Sequence, residues 1–221
     1  MDWTALNVSL WLGAGTVVLL LPGGLWLGRW LAEHEFRGKL LVEALITVPL
    51  VLPPTVLGYY LLVTFGVRSP LGLAYQTVVG HALPFSFEGL LFASAIANVP
   101  FVVQPIQRGF QAIPRDVRDA AACCGLSAWR QFLRIELPLA WPSVLTASIL
   151  AFAHTLGEFG VVLMVGGNLP GRTRTMSVAI YDRMQAFDDR SAGVMAAVLL
   201  LISVVALVMA TRLGRRAFSR G

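Results

Sequence analysis

Four stretches of this chain, residues 8–27, 44–65, 89–106 and 192–211, contain no charged side chain. Each is close to the about 20 residues that a helix needs to cross a hydrocarbon core about 30 Å thick. A fifth stretch, 139–164, is as long and is interrupted only by His154 and Glu158. Hydrocarbon offers the backbone no hydrogen-bond partner, so runs of this length fold as helices that satisfy their own amides. Composition agrees: 57% of residues are hydrophobic and 13% charged, roughly half the charged share of a soluble domain. The expected fold is all-α, an integral membrane protein with about five transmembrane helices. It reads as a single membrane domain over 1–221, with no low-complexity segment, linker or internal repeat. The first run lacks a basic flank and a small-residue cleavage site, so it reads as a retained helix rather than a signal peptide.

Basic residues set the expected orientation. Twelve lie in 28–43 (Arg29, Arg37, Lys39), in 107–138 (Arg108, Arg115, Arg118, Arg130, Arg134) and in the tail (Arg212, Arg215, Arg216, Arg220). Five lie in the alternate segments: Arg68, Arg172, Arg174, Arg183 and Arg190. The positive-inside rule then predicts an external N-terminus and an internal C-terminus. It also accounts for the net charge of +5 without nucleic acid as a partner. Cys123 and Cys124 are too few and too close together for a disulfide framework or a zinc site and read as small packing residues.

Proline punctuates two of the runs. Pro49, Pro53, Pro54 and Gly58 fall inside the second expected helix, and Pro100 and Pro105 inside the third. Proline removes a backbone bond and bends a helix. Bent helices often line pathways, although proline is also common in membrane helices generally.

Residues 107–138 are too polar for lipid and form an exposed handle between the third and fourth expected helices. Pro114 suits a first helical turn, and Asp116 suits the positive end of a helix dipole. Val117, Ala120, Ala121 and Cys124 then share one helix face. Gly125 ends that helix by turning left-handed. Ser127 caps a second helix, whose apolar side carries Leu126, Trp129 and Phe132 or Leu133, and Pro138 opens the next membrane helix. A small face beside a large one suits a groove on a partner protein; a helix lying on the bilayer is the competing reading.

Asp119-Ala120-Ala121, three residues, Gly125, nine residues, then Ile135-x-Leu137-Pro138 resembles the EAA signature of ABC importer permeases, with Asp119 in place of Glu. The resemblance implies that this loop, about 108–138, is a cytoplasmic coupling helix docking on an ATP-hydrolysing subunit through Asp119, Ala120, Ala121, Gly125, Leu126, Trp129, Ile135, Leu137 and Pro138. Residues 49–62 (PLVLPPTVLGYYLL), 156–160 (LGEFG), 166–175 (GGNLPGRTRT) and 179–185 (AIYDRMQ) resemble molybdate-type permeases, with sulfate permeases as close relatives. The implied assembly is a homodimer of this chain in the bacterial cytoplasmic membrane. Two cytoplasmic ABC ATPase subunits would carry ATP and Mg, and an external oxyanion-binding protein would deliver molybdate or tungstate for alternating access. The implied chain binds no cofactor and no metal and has no catalytic residue of its own. The residues agree: a P-loop needs G-x4-GK[ST], and the single lysine, Lys39 in RGKLL, does not fit it. The metalloprotease motif H-E-x-x-H and the hydrolase motif G-x-S-x-G are absent too.

Polar residues within the expected helices are candidates for a translocation pathway. Asn98, Gln104 and Thr155 are neutral groups that can pass an oxyanion without trapping it, or can join helices as polar glue. Pro53 and Pro54 bend the second helix beside them. His154 and Glu158 lie four apart on one face. A carboxylate on an anion path repels the cargo, so Glu158 reads as structural, bonded to His154, to backbone N–H groups or to a following arginine. A proton relay is the alternative and belongs to a proton-coupled secondary transporter, which would also call for internal repeats. Arg172 and Arg174 are exposed or face a delivery protein.

Overall fold

The computed structural model describes residues 1–218. Arg220 lies outside the described residues, as do the side chains of Arg215 and Arg216. Every regular element among the described residues is helical. Four helices are long and apolar enough to cross a membrane, or five if the bent pair Lys39–Val51 and Pro54–Phe65 is one span.

Helix α1 (Trp3–Glu33) starts where the Asp2 carboxylate accepts the Ala5 N–H at 2.9 Å. Trp3 and Trp26 are exposed on it and stand about 35 Å apart along the axis, the spacing of two interfacial aromatic belts. Beyond it come α2 (Lys39–Val51), α3 (Pro54–Phe65) and α4 (Pro70–Val79). Next is α5 (Phe87–Gln111), which Ser86 caps by accepting the Gly89 N–H at 3.0 Å. The handle holds α6 (Arg115–Cys123) and α7 (Ala128–Gln131). A five-residue π turn, Phe132–Glu136, joins α7 to α8 (Leu137–Gly157). The chain ends with α9 (Gly160–Gly166), α10 (Met176–Gln185) and α11 (Asp189–Phe218).

The core lies where α1, α5 and α8 meet. Val102, Ile106 and Phe110 of α5 pack on Ala140, Val144, Ala147 and Ala151 of α8. Three alanines on one face let the two backbones approach closely, the usual basis of helix packing in lipid. Helix α11 packs outside, against α8 and α10.

The structure corrects three expectations. The second span is not one kinked helix over 44–65: α2 and α3 meet at 108°. Two consecutive prolines remove two amide donors and hold the residue before each in extended backbone, as ψ 137° at Leu52 and 134° at Pro53 record. The run 139–164 also breaks, at Glu158–Phe159, into α8 and α9. There the Glu158 carboxylate accepts the Val161 N–H at 3.0 Å, so α9 begins under a side-chain cap instead of continuing α8. Segments 66–88 and 165–191 contain α4 and α10 in place of plain loop. Pro138 stands in the first turn of α8, as expected, although the backbone is already helical from Ala128. The π turn before it absorbs the missing N–H, with Leu137 N–H bonded to the Phe132 carbonyl. Pro100 and Pro105 stay inside an unbroken α5.

The two breaks touch. A Cβ on Gly160 would lie 2.6 Å from Pro54 Cβ and 3.2 Å from the Thr55 amide nitrogen. A Cβ on Gly58 would meet Met164 Cβ at 2.8 Å and Val161 Cα at 3.1 Å. Gly58 and Gly160 are thus there for the close packing of α3 on α9. Gly160→Val is expected to lower stability by about 1–3 kcal/mol through overpacking against a rigid ring. Thermal melting of the purified chain in detergent measures this. Gly157→Ala, which meets nothing within 4 Å, is the control expected to melt like the unaltered protein.

Candidate functional site

Beneath the α2–α3 elbow lies a cavity of about 110 Å³, lined among others by Pro49, Pro54, Phe101, His154 and Glu158. A line of polar side chains leads inward from His154 on its wall. Thr155 Oγ donates to the Ala151 carbonyl at 2.8 Å and accepts from Asn98 Nδ2 at 3.0 Å. Asn98 Nδ2 also donates to the Ser94 carbonyl, and Asn98 Oδ1 sits 3.2 Å from His154 Nδ1. Nε2 of His154 is 3.7 Å from Glu158 Oε2, a distance for an ion pair when the imidazole is protonated and too long for a hydrogen bond. Asn98, Thr155 and Glu158 are buried. Ser177 donates to the Glu158 carbonyl at 2.7 Å, so both polar ends of that residue are used.

Four of the expected pathway residues, Pro54, Asn98, Thr155 and Glu158, therefore gather at one level. Pro53 is the exposed N-cap of α3. Gln104 is elsewhere, about 9 Å further along α5. It donates to Thr47 Oγ at 3.0 Å, and Gln107 donates to Glu43 Oε1 at 2.7 Å. These groups line a polar cavity of about 420 Å³ with Ile46, Arg108 and Gln111. The sequence reading missed Thr47, Gln107 and Glu43. Their polarity at helical spacing opposite Gln104 was visible only once α2 and α5 were known to pair. At both levels the donors of Asn98, Thr155, Gln104 and Gln107 bond within the protein and a carboxylate is present, while the guanidinium of Arg108 also lines the second cavity.

The handle folds on a buried acid. Arg118 Nη2 donates to the Phe110 carbonyl at 2.8 Å, closing the end of α5. Glu136, in the π turn, is 1% exposed. Its Oε2 accepts from Arg29 Nε of α1 at 2.6 Å, and its Oε1 accepts from Gln131 Nε2 at 3.1 Å. Arg118 Nε of α6 lies 3.4 Å from Oε1, as an ion pair. Arg29 also pairs with Glu33 at 3.0 Å and stacks over Phe132. Sequence reasoning passed over Glu136 as a filler position between Ile135 and Leu137. An acid flanked by apolar residues where a polar loop enters a membrane helix was the available signal.

Gly125 adopts φ +73°. It closes α6 with the Gly125 N–H on the Ala122 carbonyl and the Leu126 N–H on that of Ala121, a Schellman ending. The expected small face is split. Ala121 is buried and Val117 half-buried toward the bundle, whereas Ala120 and Cys124 are exposed beside Asp119. The bundle itself draws the apolar edge inward, since α6 packs on the end of α5. Leu126, Ile135 and Leu137 are half-buried, and Pro138 is exposed. Trp129 is 66% exposed and stacks on Phe132, so the handle presents a large aromatic side chain outward. In the loop 167–175, Arg174 Nε donates to Asn168 at 2.6 Å and Arg174 reaches Asp2 and Asp182. Arg174 thus staples the loop, while Arg172 is exposed.

A family model described as "Binding-protein-dependent transport system inner membrane component" matches residues 22–219. The chain is 45% identical over 206 residues to the "Molybdenum transport system permease protein ModB" of Azotobacter vinelandii, covering 93% of this chain and 91% of the relative. It is 35% identical to the protein of that name from Escherichia coli K12, covering 97% and 94%. A "Probable sulfate transport system permease protein cysT" of Chlorella vulgaris is 32% identical, covering 81% and 67%. Among solved structures, a bacterial alginate ABC transporter in complex with its alginate-bound periplasmic protein matches with a TM-score of 0.75 at 16% identity, covering 97% of this chain and 78% of that one. The MetNI methionine ABC transporter, in an inward-facing conformation, matches at 0.71 and 15%, covering 98% and 94%. At such identities the likeness is one of fold.

Glu158→Gln is expected to keep most of the transport activity, because the amide oxygen still accepts the Val161 N–H. Uptake into vesicles measures it; abolished uptake would instead assign Glu158 to proton movement.

Proposed function

We propose a function from one premise: the chain belongs to the family of binding-protein-dependent transport system inner membrane components. It is the permease of an ABC importer, a multi-pass membrane protein and not itself an enzyme. Within that class, we read its cargo as molybdate, with tungstate as its chemical equivalent. The observation that carries this reading is the 45% identity to a molybdenum permease across 93% of the chain, against 32% for the sulfate permease relative.

The working assembly is two copies of this chain, two ATPase subunits on the handles and an external binding protein. Orientation follows the twelve-to-five split of basic residues, with the handle on the cytoplasmic side. A second copy is supported by the α2–α5 face, where Thr47 and Gln104 are only partly buried among exposed Leu41, Leu45 and Val48. Polar groups at membrane depth are stable against protein or water, not lipid. A copy related by two-fold symmetry would cover that face and set Gln104 and Thr47 against a shared path. The pathway residues in this reading are Pro53, Pro54, Asn98, Thr155 and Glu158 at the elbow and Gln104 further along.

Specificity then rests with the delivery protein. A permease whose donors are already bonded holds an oxyanion weakly, as conduction requires. ATP with Mg acts on the separate subunit, whose closure would move the handles and switch the path from outward to inward access.

The test is the ATPase rate and labelled uptake of the reconstituted complex, with the cognate binding protein loaded by each anion in turn. Free molybdate should do little, and the molybdate-loaded protein should stimulate both. Equal stimulation by a sulfate-loaded protein would move the chain to the sulfate branch. Stimulation by a sugar- or amino-acid-loaded protein alone would overturn the oxyanion reading.

A further inference from the structure

We infer that Glu136 is a positioning residue that makes the handle and the membrane helices move as one body; this rests on the handle being the ATPase docking site. Three helices converge on one buried carboxylate. Arg29 brings α1 to Oε2 at 2.6 Å, Arg118 brings α6 to within 3.4 Å of Oε1, and Gln131 brings α7 to Oε1 at 3.1 Å. Glu136 itself belongs to the π turn that continues into α8. Arg118 carries the link on to α5, through the Phe110 carbonyl.

The link matters because α6 is otherwise weakly held. It joins α7 through Gly125, whose φ of +73° and lack of any neighbour within 4 Å of an added Cβ mark an open turn. Of its residues, Ala121 alone is buried. Without the charge contact, a push on the exposed face of α6 would swing that helix about the turn. With it, the same push reaches α1, α5 and α8 together. An apolar cluster of equal volume would hold the helices at least as firmly, but apolar surfaces slide. A carboxylate shared by fixed donors holds a single geometry.

The experiment uses the full complex in lipid. It compares ATPase capture, basal hydrolysis, stimulation by the loaded binding protein, and melting temperature. Arg118→Gln removes the α6 arm and leaves the buried Arg29–Glu136 pair in place. It is expected to capture the ATPase and to hydrolyse ATP at the basal rate. Its stimulation ratio and its uptake per ATP should fall about tenfold, within the span of measured coupling energies. Arg118→Lys should recover part of the ratio by restoring the charge. Glu136→Gln should lose the ratio as well; if it fails to insert, Arg118→Gln decides. An unchanged ratio in Arg118→Gln, with the ATPase captured, overturns the inference alone. So does a loss of every readout in step with melting temperature. If the unaltered chain captures no ATPase, the docking reading falls and takes the inference with it.

Discussion

A helix that breaks inside hydrocarbon leaves amides and carbonyls that lipid cannot bond, and each such group costs about 1–3 kcal/mol when buried unpaired. This chain breaks twice, at Leu52–Pro53 and at Glu158–Phe159, and the two breaks are packed on each other. Two prolines remove donors from the first. At the second, the Glu158 carboxylate takes the Val161 N–H, and Ser177 donates to the Glu158 carbonyl. Glycine at 58 and 160 lets the two corners meet at backbone distance. Everything at the elbow follows from that contact: the small cavity, the line from Thr155 through Asn98 and His154, and a carboxylate facing the interior. Glu158 is thereby explained first as a cap on a broken helix, which is a different demand from binding an anion.

At the other end of the bundle the governing interaction is electrostatic. Surface ion pairs contribute little, about 0–1 kcal/mol, and most arginines of the handle are exposed. Glu136 is of another kind, because it is buried and shared. Removing one partner from such a pair leaves a stranded charge and costs about 3–5 kcal/mol. The result is a handle whose inner edge, Val117, Ala121 and Arg118, is committed to the bundle. Its outer side, Asp119, Ala120, Cys123, Cys124 and Trp129, is left exposed. An aromatic anchor amid small residues is the composition of a protein contact.

Much of the fold was legible in residues, because charge-free runs near 20 residues admit few alternatives to a membrane helix. The Schellman ending was legible too, since only Gly125 in that stretch tolerates a left-handed turn at no cost. Helix α4 carries local signals as well: Ser69-Pro70 at its start and Gly80 at its end are ordinary start and stop signals. At ten residues it falls short of a span. Whether a proline kinks or breaks a helix depends on what packs against the bend. Pro100 and Pro105 leave α5 whole, whereas the Pro53-Pro54 pair breaks the helix and Pro54 packs on Gly160. The pairing of Thr47 with Gln104, and the convergence on Glu136, join residues 57 and 107 apart in the chain. No local pattern carries such partners.

In the proposed assembly the handle is the face that a separate ATPase grips. The chain contains two cysteines, Cys123 and Cys124, and both are exposed at the end of α6, so thiol labelling reads that face without any substitution. The measurement is the rate of maleimide modification of the purified chain, alone and in a complex that hydrolyses ATP. Docking on the handle predicts that the ATPase slows labelling at least about tenfold, as burial of an exposed group by more than about 1.4 kcal/mol requires. Equal rates in the free chain and in the active complex would place the grip elsewhere and contradict the account.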